Sequence, residues 1–372
     1  MIITHSKSAT DSPNAISFHY PEGNDAGLSL PVGSILVSFL ASPINPQDLL
    51  VIAGRYPVKP SYDHDDEAVL GYDGVARIEA VGSSESTSSS ERALSPGDLV
   101  IPRRHGLGTW RSRAVLNAAD VIHLSPTSDL VGASLLRMAF LPAYLLVEDM
   151  RHLKPGDWIV QNAGSGTIAR LVAQFARVKG CHTCSVVRDR DEDDLTALKA
   201  SLLGEGADAV ITEEQLAVLG AESHPALASA SASGRVVLAI DAVFGEPGER
   251  LSSLLSYGGT YVNYGSLGGA DGVVRLTQRL LFWSEVRFRN FRLSEQLGRR
   301  TSAQQESLLL WFQDLLARGT LVTPKVQDVQ VPESAEDRGA FEEQVKDAIA
   351  PGGSGAATRI GDAKRVLRFE SV

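Results

Sequence analysis

Two short stretches carry residue types and spacings that could do chemistry. The first is Ile44-Asn45-Pro46-Gln47-Asp48, followed by Ala53-Gly54-Arg55-Tyr56-Pro57. It sets a tyrosine in a loop bounded by glycine and proline, just after an Asn-Pro-x-Asp turn. A phenol with an ordinary pKa near ~10 is protonated at neutral pH, so it can donate a proton or hydrogen bond as enolate character develops. The second stretch is the glycine turn Ala163-Gly164-Ser165-Gly166-Thr167-Ile168-Ala169. A predicted strand precedes it and a predicted helix follows, so backbone amides and a helix N-terminus converge where a pyrophosphate would sit. Gly164 and Gly166 permit close approach, and Ala169 takes the place of the usual third glycine. At the end of the next predicted strand comes Arg188-Asp189-Arg190, with Arg188 22 residues after Gly166. An acidic residue near this spacing would bind a ribose 2′-hydroxyl, whereas arginines suit a 2′-phosphate. The pair therefore predicts NADPH rather than NADH. The alternative is a solvated strand end paired with Asp191, Glu192 or Asp193. A bound nicotinamide and a positioned phenol together would make a hydride-transfer site with its own proton donor.

Other reactive residues carry less. Cys181 and Cys184 are the only cysteines, too few for a disulfide framework or a four-thiolate zinc site. Their segment, Cys181-His182-Thr183-Cys184-Ser185-Val186-Val187, reads as a strand, so residues three apart point to opposite faces. Packing is expected rather than redox chemistry. His64-Asp65-Asp66-Glu67 reads as a solvated turn, and His105 has no ligand partner nearby in the sequence. No metal is expected.

These residues need elements to position them. Residues 15–125 read mostly as β, with strands predicted at 34–40, 73–82 and 98–102. Ser83–Arg92 is a Ser/Glu-rich solvated loop. Helical spacing runs from about 130 to 150. Strands follow at 158–162, 182–187, 208–211, 236–240 and 259–264, alternating with helical stretches, as a doubly wound parallel sheet requires. A helix spans 302–318, and the tail from 325 returns to extended segments, with Ala350–Gly355 a loop. The expected fold is α/β: a β-rich catalytic domain with an inserted Rossmann-type, doubly wound parallel-sheet domain. The boundaries are 1–126 for the first part of the catalytic domain, 127–303 for the dinucleotide-binding domain and 304–372 for the return segment.

Bulk properties agree with an enzyme of this kind. The chain has 372 residues, room for two cored domains, with 43% hydrophobic and 22% charged residues. A net charge of −10 argues against a nucleic-acid partner. No apolar run is expected to reach the ~18 residues of a membrane span. Neither a secretory signal nor a mitochondrial presequence is read at the N-terminus, so the expected location is cytoplasmic.

Together these stretches resemble the zinc-free 2-enoyl thioester reductases of the medium-chain dehydrogenase/reductase superfamily. The similar segments are INPQDLLVIAGRYPVKP, PGDLVIPRRHGLGTWRS, LKPGDWIVQNAGSGTIARLVAQFA, SVVRDRDEDDL and GADAVITEE, spread over about residues 30–367. The resemblance implies hydride transfer from NADPH to the β-carbon of an enoyl thioester, with Tyr56 catalytic and Asn45 and Trp110 lining and shaping the site, Trp110 either as a cleft wall or as a packing residue. It implies pyrophosphate contacts from Ser165, Gly166, Thr167 and Ile168. Tyr264, Gly265, Ser266 and Leu267 would lie beside the nicotinamide half, with further cofactor contacts from Phe291, Arg292, Leu293 and Lys364. The resemblance also implies that the β-rich catalytic domain is GroES-like, and a homodimer is a further family expectation.

The sequence also departs from that family. Its Val-Asn-Pro-x-Thr-Ala-Tyr reads here Met138-Ala139-Phe140-Leu141-Pro142-Ala143-Tyr144, which removes an amide at Ala139 and a hydroxyl at Pro142. Arg292 stands where the family commonly has Trp, Asp73 replaces a Glu, and Cys-Val-Gly-Gly becomes Ala242-Val243-Phe244-Gly245. The changes cluster at the reactive end and predict an altered acceptor, in a cytosolic relative serving specialised metabolism. A quinone or enone reductase on the same scaffold, or an NADPH-binding protein with altered catalysis, are the competing readings.

Overall fold

The structure, a computed structural model, describes residues 1–6, 15–21, 29–83, 93–267, 272–350 and 363–369. Most of the two expected loops, 83–92 and 350–355, lies outside the described residues.

Six parallel strands form one sheet, in the order Ala209–Thr212, His182–Val187, Trp158–Gln161, Val236–Asp241, Thr260–Asn263, Arg287–Asn290. The order reverses direction between Trp158–Gln161 and Val236–Asp241, the switch point where such sheets bind ligands. Both faces are covered. Ile159, Leu238, Ile240 and Val262 pack into one core with Leu171 and Phe175, while Val160, Val186, Ala239 and Tyr261 pack into another. The near-continuous apolar strands are the signature of that two-sided burial. Cys181 and Cys184 fall into these two different cores and are both free and buried, as alternation across the strand predicts.

The remaining strands build antiparallel-rich sheets. One has the order Val326–Gln330, Lys364–Arg368, Ser34–Pro43, Val75–Val81, Leu99–Pro102, Val121–Leu124, with Arg113–Asn117 also paired to Ser34–Pro43. The C-terminal strands thus join the sheet begun by the N-terminal half. Pairing of Val366 with Pro43, and the bond from Ile44 N to Arg365 O at 2.9 Å, bring Lys364 beside Asn45. A smaller sheet orders Ile16–His19, Ile2–His5, Glu67–Val69 and Asp63–His64.

Between the expected extended segments of the tail stands a helix, Arg338–Ile349. Its buried Phe341, Val345, Ala348 and Ile349 recur at helical intervals, a period that a β reading of the tail overlooks. The helical run 130–148 is interrupted by a π-turn at Leu136–Phe140. By length and composition this run could cross a membrane, contrary to the expectation that no stretch is long enough. However, 83% of its apolar window is buried inside the protein. Phe140 packs there against Phe175 and against Phe312 of the helix Ser302–Ala317.

Candidate active site

The glycine turn sits where the first parallel strand hands over to the helix Thr167–Val178. Ala163 adopts φ +47, and the turn closes with Gly164 N donating to Val186 O (2.9 Å) and Gly166 N to Ala163 O (2.8 Å). A Cβ at Gly164 would stand 2.8 Å from Ser185 Cβ, so only glycine lets the turn lie against the neighbouring strand. Gly166 caps the helix without a side-chain acceptor. The amides of the first turn, at Thr167, Ile168 and Ala169, are thus available to an anion. Ser165 is buried, and its carbonyl accepts from Arg170 Nε at 2.9 Å.

The strand His182–Val187 delivers Arg188 and Arg190, both half-buried. Arg190 Nε is buried without a partner among the described residues, an open donor that a phosphate would satisfy. Asp189 does something else. Its Oδ2 accepts from Glu214 N at 3.1 Å, so it caps the first turn of Glu213–Leu219. One oxygen of the Asp189 carboxylate, which the resemblance counts with its arginine neighbours at the cofactor, is thus engaged at a helix start.

At the switch point lies a buried network that no sequence motif announced. Asp241 Oδ1 accepts from Asn162 Nδ2 (2.5 Å) and from Val243 N and Phe244 N (both 2.9 Å), and Tyr261 OH donates to Oδ2. These bonds hold Phe244 at φ +70 and ψ −179, a conformation essentially reserved for glycine. Tyr264 N donates to Asp241 O, and Leu267 N to Ala242 O. A Cβ on Gly265 would meet Ala242 O at 2.8 Å. The segment Tyr264–Leu267 therefore runs along the floor of the switch point, with Ser266 and Leu267 exposed. Phe291 is buried, with its N–H donating to Asn263 O (2.8 Å). Leu293 is half-buried and Arg292 is exposed at the start of the helix Leu293–Leu297.

Tyr56 follows the helix Pro46–Ile52, and its N–H donates to Leu50 O at 3.1 Å. Its half-buried ring stands edge-on to Tyr72 (centroids 5.6 Å apart) and His105 (6.3 Å). Tyr72 OH donates to Val58 O at 2.6 Å, pinning the Tyr56 loop. Beneath lies a cluster of buried ionisable groups. Asn45 N donates to Asp48 Oδ2 (2.8 Å), and Lys364 Nζ donates to Asn45 Oδ1 (2.7 Å). Lys364 thus joins the group around Asn45, Asp48 and Asp73. Burial sets the charges here. It pushes the Asp48 and Asp73 carboxyls up to about 7 and about 8, and the Lys364 ammonium down to about 8. Burial and Arg137 together take the His105 imidazolium down to about 3, so that ring is neutral at pH 7. The Tyr56 phenol is raised by burial, lowered by Arg137 and raised by Asp48. Asn45 Nδ2 and Asp48 Oδ1 remain buried without partners among the described residues.

Of the two readings of Trp110, packing and cleft wall, its surroundings favour packing. It is 0% exposed in the core with Ile35, Phe39 and Leu70, and its indole N–H donates to Pro43 O at 3.4 Å. It supports the strand end before Asn45 and does not line an open cleft. Ala139 is also core, on the π-turn with Arg137, and Pro142 is buried in the helix that follows. Of Asp48, Tyr72, Asp73, His105, Arg137, Asn162 and Asp241, the sequence reading singled out only Asp73, as a departure at the reactive end, and weighed His105 only as a metal ligand. Only Asp48, in Asn-Pro-x-Asp, and Asp73, in Gly-Tyr-Asp-Gly, stood in motifs that could have flagged them. The expected turn at 64–67 is a hairpin with Asp65 and Asp66 at positive φ. The fold brings His19 to it, with His19, His64 and Asp65 ligand atoms within 4.8 Å of one another.

A parallel sheet of this order, with a glycine turn on its first strand and an antiparallel-rich partner carrying a half-buried tyrosine, defines a medium-chain dehydrogenase/reductase. No family model matches the chain. The mitochondrial enoyl-[acyl-carrier-protein] reductase of Homo sapiens is 34% identical over 296 residues, covering 79% of this chain and 74% of that protein. Its counterpart from Mus musculus is 35% identical over 293 residues, with the same coverage. Among solved structures, the Etr1p complex with NADP and crotonyl-CoA superposes with a TM-score of 0.80 at 23% identity, covering 99% of this chain and 98% of that one. The Etr1p/Etr2p heterodimer of Candida tropicalis gives 0.79, also at 23% identity and with the same coverage. The chain belongs to the family of mitochondrial enoyl-[acyl-carrier-protein] reductases. The expectation of a cytoplasmic protein is overturned: the curated relatives, down to that of Caenorhabditis elegans, are named as mitochondrial.

Proposed function

We propose that this chain is an NADPH-dependent reductase of α,β-unsaturated thioesters. The observation that carries the reading is 34% identity, over most of the chain, to relatives named as enoyl-[acyl-carrier-protein] reductases. The residues present fit the cofactor: a glycine turn with open first-turn amides, an orphaned Arg190 Nε, and a close approach at Gly265 that a Cβ would block. When bound, NADPH supplies the hydride for the β-carbon of the acceptor.

The chain's residues do the rest. Thr167 and Ile168 amides hold the pyrophosphate through the helix dipole. Arg188 and Arg190 hold the 2′-phosphate. Gly265 and its neighbours seat the nicotinamide half. Tyr56, protonated and raised by burial, gives its proton to the enolate or stabilises its oxygen. Asn45 Nδ2 is the open donor nearest in sequence to that chemistry, suited to the thioester carbonyl. The enzyme works as a homodimer in mitochondria. Among the described residues the edge strand Arg287–Asn290 pairs on one side only, and next to it Phe282 and Trp283 are 66% and 68% exposed. A second copy would cover this patch and extend the sheet.

The test is NADPH oxidation with a crotonyl thioester, a free enone and a quinone. Turnover of the thioester, lost in Tyr56→Phe, is expected. Turnover of quinones alone, or a fully active Tyr56→Phe, would overturn the reading.

A further inference from the structure

Arg137 is a buried cation with no ion pair among the described residues: the carboxylate that acts on it most strongly is Asp73, which burial raises to about 8 and so keeps largely protonated at neutral pH. Its side chain is 5% exposed, and no carboxylate lies within ion-pair distance among the described residues. It makes two bonds, from Nε to Arg103 O (3.1 Å) and from Nη1 to Met138 Sδ (3.5 Å). A guanidinium carries five donors, so its fork is only partly used. Such a group is costly to bury without a partner, which calls for a reason.

Its setting supplies one. Arg137 lies on the π-turn Leu136–Phe140, an irregularity that re-aims side chains and often marks functional sites. Its bond to Arg103 ties it to the loop that carries His105, whose ring lies 6.3 Å from that of Tyr56 and 6.1 Å from that of Tyr72. The other ionisable groups packed around are Asp48, Asp73 and Lys364. His105 is neutral, and Lys364 is engaged by Asn45.

We propose that Arg137 is the electrostatic partner of Tyr56, a positioning residue that stabilises the phenolate left when Tyr56 gives up its proton. The inference rests on the reductase reading above. In the step concerned, the Oη–H bond of Tyr56 breaks and its electron pair stays on Oη. The proton goes to the α-carbon of the enolate formed by hydride addition, completing the C–H bond, and solvent later reprotonates the phenolate. A fixed positive charge in a low-dielectric site stabilises the phenolate more than the phenol, which makes Tyr56 a stronger acid. The direction of the charge effect on Tyr56 agrees: Arg137 lowers its pKa against the raising effect of burial. Arg137 lies on the π-turn and immediately precedes the segment Met138–Pro142, which departs from the family pattern.

The experiment compares Arg137→Met, Arg137→Lys and Tyr56→Phe with the parent, all as full chains. It reads kcat, KM, NADPH affinity by fluorescence, and the alkaline ionisation of Tyr56 as the phenolate absorbance missing from Tyr56→Phe. Arg137→Met is expected to raise the Tyr56 pKa by about one unit or more and to lower kcat by about tenfold or more, with NADPH affinity kept. Arg137→Lys should recover most of both. A purely packing role would leave the Tyr56 ionisation in place. If Arg137→Met does not fold, the same readouts on Arg137→Lys and Arg137→Gln decide, with the charge-neutral variant alone expected to show the shift. The proposal is overturned by a Tyr56 ionisation unmoved in the neutral variant, or by kcat within about twofold of the parent. A Tyr56→Phe of full activity would instead sink the reductase mechanism itself, so the two failures are distinct.

Discussion

Replacing Asp241 by alanine tests what holds the switch point together. The carboxylate is fully buried and accepts four hydrogen bonds: from Asn162 Nδ2, Val243 N, Phe244 N and Tyr261 OH. Alanine leaves all four donors without their acceptor. Each orphaned buried donor costs about 1–3 kcal/mol, so four at the low end cost about 4 kcal/mol. Some strain is released in return, because Phe244 at φ +70 is freed, worth about 1 kcal/mol at the lower end for such a conformation. The net expectation is a loss of about 3 kcal/mol. Asp241→Asn keeps one oxygen for the two backbone donors and should lose less. Denaturant unfolding, followed by the fluorescence of Trp158 in the adjoining strand, reads the change directly. Cofactor affinity should fall too, since Tyr264 and Leu267 hang from this turn through Asp241 O and Ala242 O. A loss below about 1 kcal/mol for alanine would refute the reasoning, because it would mean the buried donors find other partners at no cost.

Other perturbations probe the remaining parts. Replacing Arg188 and Arg190 together by alanine should weaken NADPH binding by about tenfold or more and leave NADH nearly unchanged, as loss of charge-assisted bonds to a 2′-phosphate requires. Fluorescence titration with both cofactors checks it. Asp73 is raised by burial from 3.8 to about 8, so between those values the folded state holds a proton that the unfolded state has lost. Its contribution to stability is present below about pH 4 and declines as pH rises toward 8. Asp73→Asn should therefore flatten the stability curve across that window, measured by unfolding at stepped pH. Trp283→Glu places a charge in the exposed apolar patch and should shift sedimentation from dimer to monomer while leaving the monomer's fold intact.

The strand–glycine turn–helix unit was legible because it is local. A tight turn that must approach a strand and an anion needs glycine at Gly164, and the following helix has its apolar face at 3.6-residue spacing. Parallel strands buried on both faces announced themselves as apolar runs, and the cysteine pair fell on opposite faces as alternation requires. The contacts of Asp189 and Trp110 were not legible for the opposite reason. Asp189 turns to a helix end that begins 24 residues later, and Trp110 is swallowed by a core assembled from distant strands. The helix Arg338–Ile349 went unread because it lies between two strands that pair with each other.

What the sequence determined by itself was therefore the class of chemistry: a dinucleotide turn, an arginine pair suited to a phosphate, and a tyrosine in a constrained loop. Only the tertiary structure decided the electrical environment of that tyrosine. Asp48, Asp73, Arg137 and Lys364 come from four separate segments, and their charges depend on how completely packing removes them from water. Desolvation is a property of the assembled core and leaves no local pattern in the chain.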